Sequence, residues 1–235
     1  MIKTLLTKSP TITSLIIQNL FWLRHQYESQ REIEKNDDNT VQLGRSLRIA
    51  DKFQFEFAKS ISQLSKADKI LVDYPISCTK RTQPLYPDIL FIKNDSITSI
   101  LEIKIDLGFL NLDNFGIAYD KSNKTYSYKK INNTFKKNYS HFITSKEIWY
   151  KKKKNKVKVN LSISKKLTKK FLIISEANHA KRVPFFEKSV KDAGFSSLFL
   201  LKDIHPNRPK QSMESLITKE INDKKSIINQ VFKNL

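Results

Sequence analysis

The chain has 235 residues and a formal net charge of +20, with 43 lysines and arginines against 23 acidic residues. A chain of this length can bury a hydrophobic core as one large domain, and the excess of cations predicts a polyanionic partner such as nucleic acid. Hydrophobic residues make up 39% of the chain, which excludes a disordered basic tail.

The scarce residue types exclude several kinds of site. The single cysteine, Cys78, excludes a disulfide framework and a cysteine-rich zinc site, and it suits a reducing compartment. The four glycines form neither a dinucleotide fingerprint nor a phosphate-binding loop. The most apolar N-terminal stretch, residues 15–23, is too short for a membrane span and does not read as a signal peptide. We therefore expect a cytoplasmic protein without a membrane partner.

Two helices and three strands are predicted in the first half of the chain. Apolar residues recur at helical spacing over residues 11–35 and again over about 45–66, with a polar loop at 36–40 between them. Three runs of β-branched or aromatic residues follow, and their short polar connections predict an antiparallel meander. These runs are residues 69–76, 86–92 and 97–106.

Lysine dominates the next segment, and regular patterns return only near residue 171. Residues 121–170 contain 17 lysines and one acid, so we interpret residues 107–168 as a lysine-rich insertion in a single domain covering 1–235. Next come a strand at 171–175, a helix at 184–193 and a strand at 196–202, which predict a parallel β-α-β unit, and then a helix at about 212–233. The predicted fold class is mixed α/β (α+β), a central mixed sheet flanked by helices.

Two acidic residues on neighbouring predicted strands form the candidate site. Period-2 alternation puts Glu102 and Lys104 on one face of their strand. A three-residue loop at 94–96 would place Asp88 directly opposite Glu102. Two carboxylates so close repel each other unless one is protonated or a cation lies between them, and this predicts a divalent ion. The alternative is a half-solvated surface strand with no site.

The spacing Pro87-Asp88, thirteen residues, Glu102-Ile103-Lys104 resembles the motif of the PD-(D/E)XK nuclease superfamily, whose members include many type II restriction endonucleases. The resemblance implies a restriction-endonuclease-like α-β-β-β-α-β core over residues 45–202, with extra N- and C-terminal helices. It also implies that Asp88, Glu102 and the backbone carbonyl of Ile103 are metal ligands, and that Lys104 helps to orient or activate the attacking water.

The ligand chemistry and the resemblance together define the expected cofactor. Carboxylate and carbonyl oxygens select Mg²⁺. Many members of the superfamily also carry an acid on the helix before the strands, for which Glu56 is the candidate and Asp51 the competitor.

The expected function is a Mg²⁺-dependent DNA endonuclease, with double-stranded DNA as partner. A restriction enzyme that cuts both strands of a palindrome would act as a homodimer, and the terminal helices either pack on the sheet or form that interface. The alternatives are a structure-selective or repair nuclease, a nuclease toxin, and a non-catalytic basic DNA- or RNA-binding protein. The candidate DNA-binding residues are Lys80, Arg81, Gln83, Asn178, Lys181 and Arg182.

Overall fold

The computed structural model describes residues 10–35, 49–152, 156–208 and 212–233, except for the side chains of 31–35, 109, 177 and 178. The predicted loop at 36–40 and the predicted helix start at 45–48 lie outside these ranges. The described residues form a mixed α/β structure, in which helices flank a seven-stranded mixed sheet. This confirms the predicted fold class.

The described residues contain six α-helices and nine strands. The helices are α1 (Ile12–Lys35), α2 (Ile49–Ser62), α3 (Thr134–Ile143), α4 (Val183–Asp192), α5 (Met213–Asp223) and α6 (Lys225–Phe232). The strands are β1 (Lys69–Val72), β2 (Ser77–Cys78), β3 (Ile89–Lys93), β4 (Ser96–Asp106), β5 (Ile117–Asp120), β6 (Thr125–Tyr128), β7 (Ile148–Lys151), β8 (Lys158–Ser175) and β9 (Ser196–Leu201). Short 3-10 helices include Lys130–Asn132 and Ala177–Arg182.

The sheet has the strand order β1-β3-β4-β8-β7-β2, and β9 also pairs with β8. The pairs β1–β3 and β3–β4 are antiparallel, which confirms the predicted meander. Strand β8 runs parallel to β4 and to β9, which confirms the parallel β-α-β unit. Strands β5 and β6 form a separate hairpin. The elements α2, β1, β3, β4, α3 and β8 occur in an α-β-β-β-α-β order, interrupted only by short strands and 3-10 helices.

Several predicted elements have different lengths in the structure. Strand 69–76 ends at Val72, because Asp73 has a positive φ of 43° that strand geometry does not allow. Strand 171–175 is only the end of the 18-residue β8, whose first part pairs with β7 and is too polar to be read as buried strand. The last helix divides at Lys224 into α5 and α6.

The sheet separates two hydrophobic cores. Alternate residues of β3 face opposite sides, so that Ile89 and Phe91 pack under α1, α2, α5 and α6, whereas Leu90 and Ile92 pack with α3 and α4. The terminal helices bury their apolar faces in the first core, which confirms packing on the sheet. Each fully buried Phe or Leu contributes about 1.5–3 kcal/mol relative to an exposed one.

No α-helix among the described residues combines the length and the apolar composition that a bilayer crossing requires.

Candidate metal and catalytic site

The β3–β4 hairpin positions the two candidate carboxylates. Its turn has two residues, Asn94 and Asp95, whose φ angles of 49° and 53° fit a type I′ turn. The predicted three-residue loop is therefore wrong. The predicted register is nevertheless reached, because Thr98 is an extra residue in β4, a β-bulge that shifts the pairing by one. Beyond the bulge Ile89 pairs with Leu101, so that the next residues outward, Asp88 and Glu102, lie opposite each other.

The side chains of Asp88 and Glu102 each accept a hydrogen bond from a backbone N–H of the neighbouring chain segment. The Asp88 N–H donates to Glu102 Oε1 at 3.3 Å, and the Ile103 N–H donates to Asp88 Oδ2 at 2.6 Å. Asp88 and Glu102 are buried, with 8% and 6% of their surface exposed. The half-solvated surface strand, the alternative considered from the sequence, does not describe these residues.

Helix α3 contributes a side chain that the sequence analysis missed. The hydroxyl of Tyr139 donates a hydrogen bond to Glu102 Oε1. The Tyr139 ring is buried against Phe135 and Phe195, with centroid distances of 4.8 Å to each. The signal for this helix was the spacing of Phe135, Tyr139 and Phe142, which repeats at helical intervals inside the lysine-rich segment.

Burial makes the carboxylate pair difficult to ionise. Burial raises the pKa of Asp88, although the Lys104 charge and the hydrogen bond from Ile103 act in the opposite direction. Burial first, and then the charge of Asp88, raise the pKa of Glu102 to about 8. At neutral pH and without a further cation, the pair therefore retains a proton.

Lys104 provides the positive charge next to this pair. Its Nζ lies 3.3 Å from Asp88 Oδ2, and its side chain is 36% exposed. Burial alone would lower the pKa of Lys104, but the charges of Asp88 and Glu102 outweigh burial, and the net pKa is raised. Lys104 is therefore a cation at neutral pH and acts as a charge rather than as a proton acceptor.

Two cavities meet at Lys104. The first, called the Asp51 cavity, has a volume of about 380 Å³. Its lining includes Tyr27, Ala50, Asp51, Gln54, Asp73, Asp88, Ile103, Lys104 and Asp106. The second, called the Asn138 cavity, has a volume of about 280 Å³. Its lining includes Glu102, Lys104, Asn111, Asn114, Thr134 and Asn138. Lys104 is therefore accessible from both cavities.

Of the two candidate acids on α2, Asp51 lies at this site and Glu56 does not. Asp51 lines the Asp51 cavity, whereas Glu56 is half-buried further along α2, and Ser60 Oγ donates to its backbone carbonyl at 2.9 Å. Glu56 follows Asp51 by five residues, and over five residues of an α-helix the side-chain direction turns by about 140° around the helix axis. The two acids therefore point in different directions.

Asp106, two residues beyond Lys104, forms a cluster with two histidines. Its Oδ1 lies 3.7 Å from His179 Nε2, and its Oδ2 lies 3.3 Å from His205 Nε2. The Asn207 N–H donates to His205 Nδ1 at 3.0 Å, so the proton of a neutral imidazole is on Nε2, which lies near Asp106 but makes no hydrogen bond to a described residue. Burial lowers the pKa of His205, which favours this neutral form.

The candidate DNA-binding residues form two separate groups. Lys80, Arg81 and Gln83 lie in the loop between β2 and β3, where Lys80 Nζ donates to Thr144 Oγ1 near the end of α3 at 2.8 Å. Lys181 and Arg182 lie in the 3-10 helix Ala177–Arg182 and line a third cavity. The side chain of Asn178 lies outside the described part of the chain.

In the described ranges, no group of three or more His, Cys, Asp or Glu side chains is arranged to hold a metal ion. An ion at Asp88 and Glu102 would therefore need backbone carbonyl, water or phosphate oxygens as further ligands, and Mg²⁺ commonly binds in this way.

The chain was also compared with known proteins. No family model, no curated protein and no solved structure gives a significant match.

Proposed function

We propose that the protein is a Mg²⁺-dependent DNA endonuclease with one catalytic site per chain, formed by Asp88, Glu102 and Lys104. The observation that supports this most is the buried pair of adjacent carboxyl groups beside a lysine that borders two cavities. Burying two carboxylates costs free energy. Acids with perturbed pKa values beside a cavity are typical of active sites.

The donor set fits Mg²⁺. Asp88 and Glu102 offer hard oxygen ligands, and a divalent cation would offset the burial that raises both pKa values and the charge of Asp88 that further raises the pKa of Glu102. The backbone carbonyl of Ile103 is the third proposed ligand, and Ile103 lines the Asp51 cavity. A bound Mg²⁺ would neutralise charge on the scissile phosphate and make a water molecule more acidic.

The protein's own groups have distinct tasks in the proposed reaction. Lys104 holds a phosphate oxygen and offsets the charge that develops as water attacks phosphorus in line. The N–H groups of Asp88 and Ile103 and the hydroxyl of Tyr139 fix the carboxylates in place. The P–O3′ bond breaks, which leaves a 5′-phosphate and a 3′-hydroxyl.

Duplex DNA is the proposed substrate of this cytoplasmic enzyme because of the charge of the molecule. Lysines that contact phosphates release counterions and give sequence-independent affinity. Exposed lysines follow β7 and the first half of β8, at Lys151, Lys152, Lys156, Lys158, Lys165 and Lys166. If the enzyme is a restriction enzyme, gel filtration with its DNA should show a complex that contains two chains, and a monomer with and without DNA would contradict the dimer.

One observation favours a second candidate, a non-catalytic nucleic-acid-binding protein. Lys104 already pairs with Asp88, and Tyr139 already binds Glu102, so that the network could serve stability alone. Such a protein would bind DNA with the same salt dependence after Asp88→Asn, and it would never cut.

Plasmid cleavage tests the proposal. Supercoiled plasmids are incubated with Mg²⁺ or EDTA, using the wild type, Asp88→Asn, Lys104→Met and a control, Asp223→Asn, which changes an exposed acid near the end of α5. We expect Mg²⁺-dependent cutting by the wild type and the control, and a loss of at least about a hundredfold in the two site variants. Plasmids that stay intact with the wild type, or are cut equally well by Asp88→Asn, would contradict it.

A further inference from the structure

A third cavity lies between the β5–β6 hairpin and the 3-10 helix Ala177–Arg182, and is called the Tyr119 cavity. Its volume is about 490 Å³. Its lining combines aromatic rings with cations: Tyr119, Lys124, Tyr126, His179, Ala180, Lys181, Arg182 and Asp203. Three permanent cations face a single acid, so that the cavity favours an anionic ligand.

Tyr119 and Tyr126 form an aromatic surface, and Arg182 holds the Tyr126 ring in place. The Tyr119 and Tyr126 rings lie 4.7 Å apart with an interplanar angle of 37°. Arg182 Nε donates to the Tyr126 hydroxyl at 2.9 Å, and the guanidinium lies 5.7 Å from the Tyr126 ring centroid. Tyr119 is 46% exposed, so a face of its ring remains available to a ligand.

The Tyr119 cavity adjoins the proposed catalytic site. His179, which lines it, lies 3.7 Å from Asp106, and Asp106 lines the Asp51 cavity together with Asp88. Asp106 follows Lys104 by two residues of β4, a distance of about 7 Å along the strand. The contact between Asp106 and His179 therefore connects the Tyr119 cavity with the Asp51 cavity, which Asp88 and Lys104 line.

We propose that the Tyr119 cavity binds an unpaired nucleotide of the DNA strand that enters the catalytic site. Its base stacks on Tyr119, and its phosphates contact Lys124 and Lys181. A base inside a duplex already has both faces covered by its neighbours, so we expect an unpaired base to use this ring. The inference rests on the proposed function for the identity of the ligand, and it makes duplex DNA with an adjoining single-stranded segment the preferred substrate.

Binding measured without cleavage tests this inference separately from the nuclease proposal. Fluorescence anisotropy in EDTA compares a labelled single-stranded oligonucleotide, the blunt duplex of the same sequence, and that duplex with a single-stranded overhang. The proteins are the wild type, Tyr119→Ala, Tyr119→Phe and a control, Phe55→Ala, which removes an exposed aromatic ring from α2.

We expect Tyr119→Ala to weaken binding of the single strand and of the overhang about 5- to 150-fold, because stacking on one aromatic ring accounts for affinity of that order. Binding of the blunt duplex should stay within about twofold, and Tyr119→Phe and Phe55→Ala should behave like the wild type. An equal loss for all three DNAs, or no loss at all, would overturn the inference.

A charge variant keeps the test valid if Tyr119→Ala disturbs the β5–β6 hairpin. Lys181→Gln changes an exposed side chain and should reduce the slope of log affinity against log salt by about 0.7 for the single strand. An unchanged slope would count against the proposal. If mononucleotides compete as effectively as oligonucleotides, the cavity is a free-nucleotide site, and the strand-binding inference is wrong even where cleavage is observed.

Discussion

Glu102 is a buried carboxylate that two hydrogen-bond donors hold in position. Tyr139 donates to the same oxygen, Oε1, that accepts the N–H of Asp88. A buried acceptor that loses a donor bears the cost of its own desolvation. Tyr139 therefore positions the carboxylate and also limits that cost.

Tyr139→Phe removes this hydroxyl and keeps the ring contacts. We expect the variant to lose about 1–3 kcal/mol of stability, because Glu102 keeps its burial and loses a donor. Thermal unfolding measures the loss. The matched control is Tyr150→Phe, a buried tyrosine whose hydroxyl accepts from Lys69 Nζ, a group near the surface. A loss in the control as large as in Tyr139→Phe would contradict the special role of the Glu102 contact.

Lys170 is a buried cation whose charge is not offset by any acid in the described part of the chain. Its side chain is 5% exposed, its Nζ makes no hydrogen bond to a described residue, and it lies 5.5 Å from the Phe232 ring centroid. Burial lowers the pKa of Lys170 from 10.5 to about 8. The unfolded chain therefore binds more protons than the folded chain between about pH 8 and 10.5, and Lys170 makes stability rise with pH in that window.

Lys170→Met should stabilise the protein at pH 7 by about 1–3 kcal/mol, because an unsatisfied buried donor is replaced by an apolar chain of similar length. The advantage over the wild type should shrink as the pH rises through 8 towards 10.5. Denaturant unfolding at several pH values measures both effects. Lys169→Met is the control, since Lys169 Nζ donates to the Ala193 carbonyl at 2.8 Å and its loss should not stabilise. A destabilised Lys170→Met would contradict this account.

At the scale of elements, the β3–β4 hairpin shows which part of the site the sequence determines. Period-2 alternation and a short polar turn are enough to bring Asp88 opposite Glu102. The turn length and the bulge at Thr98 were not predictable. A two-residue turn followed by a one-residue bulge pairs Asp88 with Glu102 just as a three-residue turn without a bulge does, so both fit the same sequence pattern. Helix α3 was missed because its apolar positions are few and lie among exposed lysines, although packing on the sheet stabilises it.

Asp95→Gly tests the turn. Asp95 has a φ of 53°, a conformation in which glycine avoids the steric cost of a Cβ atom. We expect the variant to gain up to about 1 kcal/mol in stability, because relief of the left-handed strain outweighs the larger backbone entropy that glycine loses on folding. Lys93→Gly, at the end of β3 next to the turn, should lose stability instead, because Lys93 has ordinary strand geometry and glycine loses more backbone entropy on folding. Chemical denaturation compares the two, and a loss in both variants would contradict a type I′ turn at this position.

At the scale of the whole molecule, the sequence predicted the mixed sheet, the meander and the parallel unit, because long periodic segments dominate these features. It did not predict that the polar first half of β8 continues the sheet, since that half is stabilised by pairing with β7 rather than by its own pattern. Nor did it predict the Asp106 histidine cluster, because residues 106, 179 and 205 meet only through the tertiary fold.

The central claim is that a divalent cation binds between Asp88 and Glu102, and Mg²⁺-dependent thermal stability tests it most directly. Wild type, Glu102→Gln and a control, Glu147→Gln, are unfolded at pH 8 in EDTA and over a series of Mg²⁺ concentrations. Glu147 is an exposed acid outside the site. In EDTA, Glu102→Gln should be at least as stable as the wild type, because burial and the charge of Asp88 disfavour the ionised Glu102.

Mg²⁺ should then stabilise the wild type and the control by about 2.7 kcal/mol at a hundredfold excess over the dissociation constant. It should leave Glu102→Gln almost unchanged. A wild type that does not respond to Mg²⁺, or a Glu102→Gln variant that responds equally, would contradict the claim.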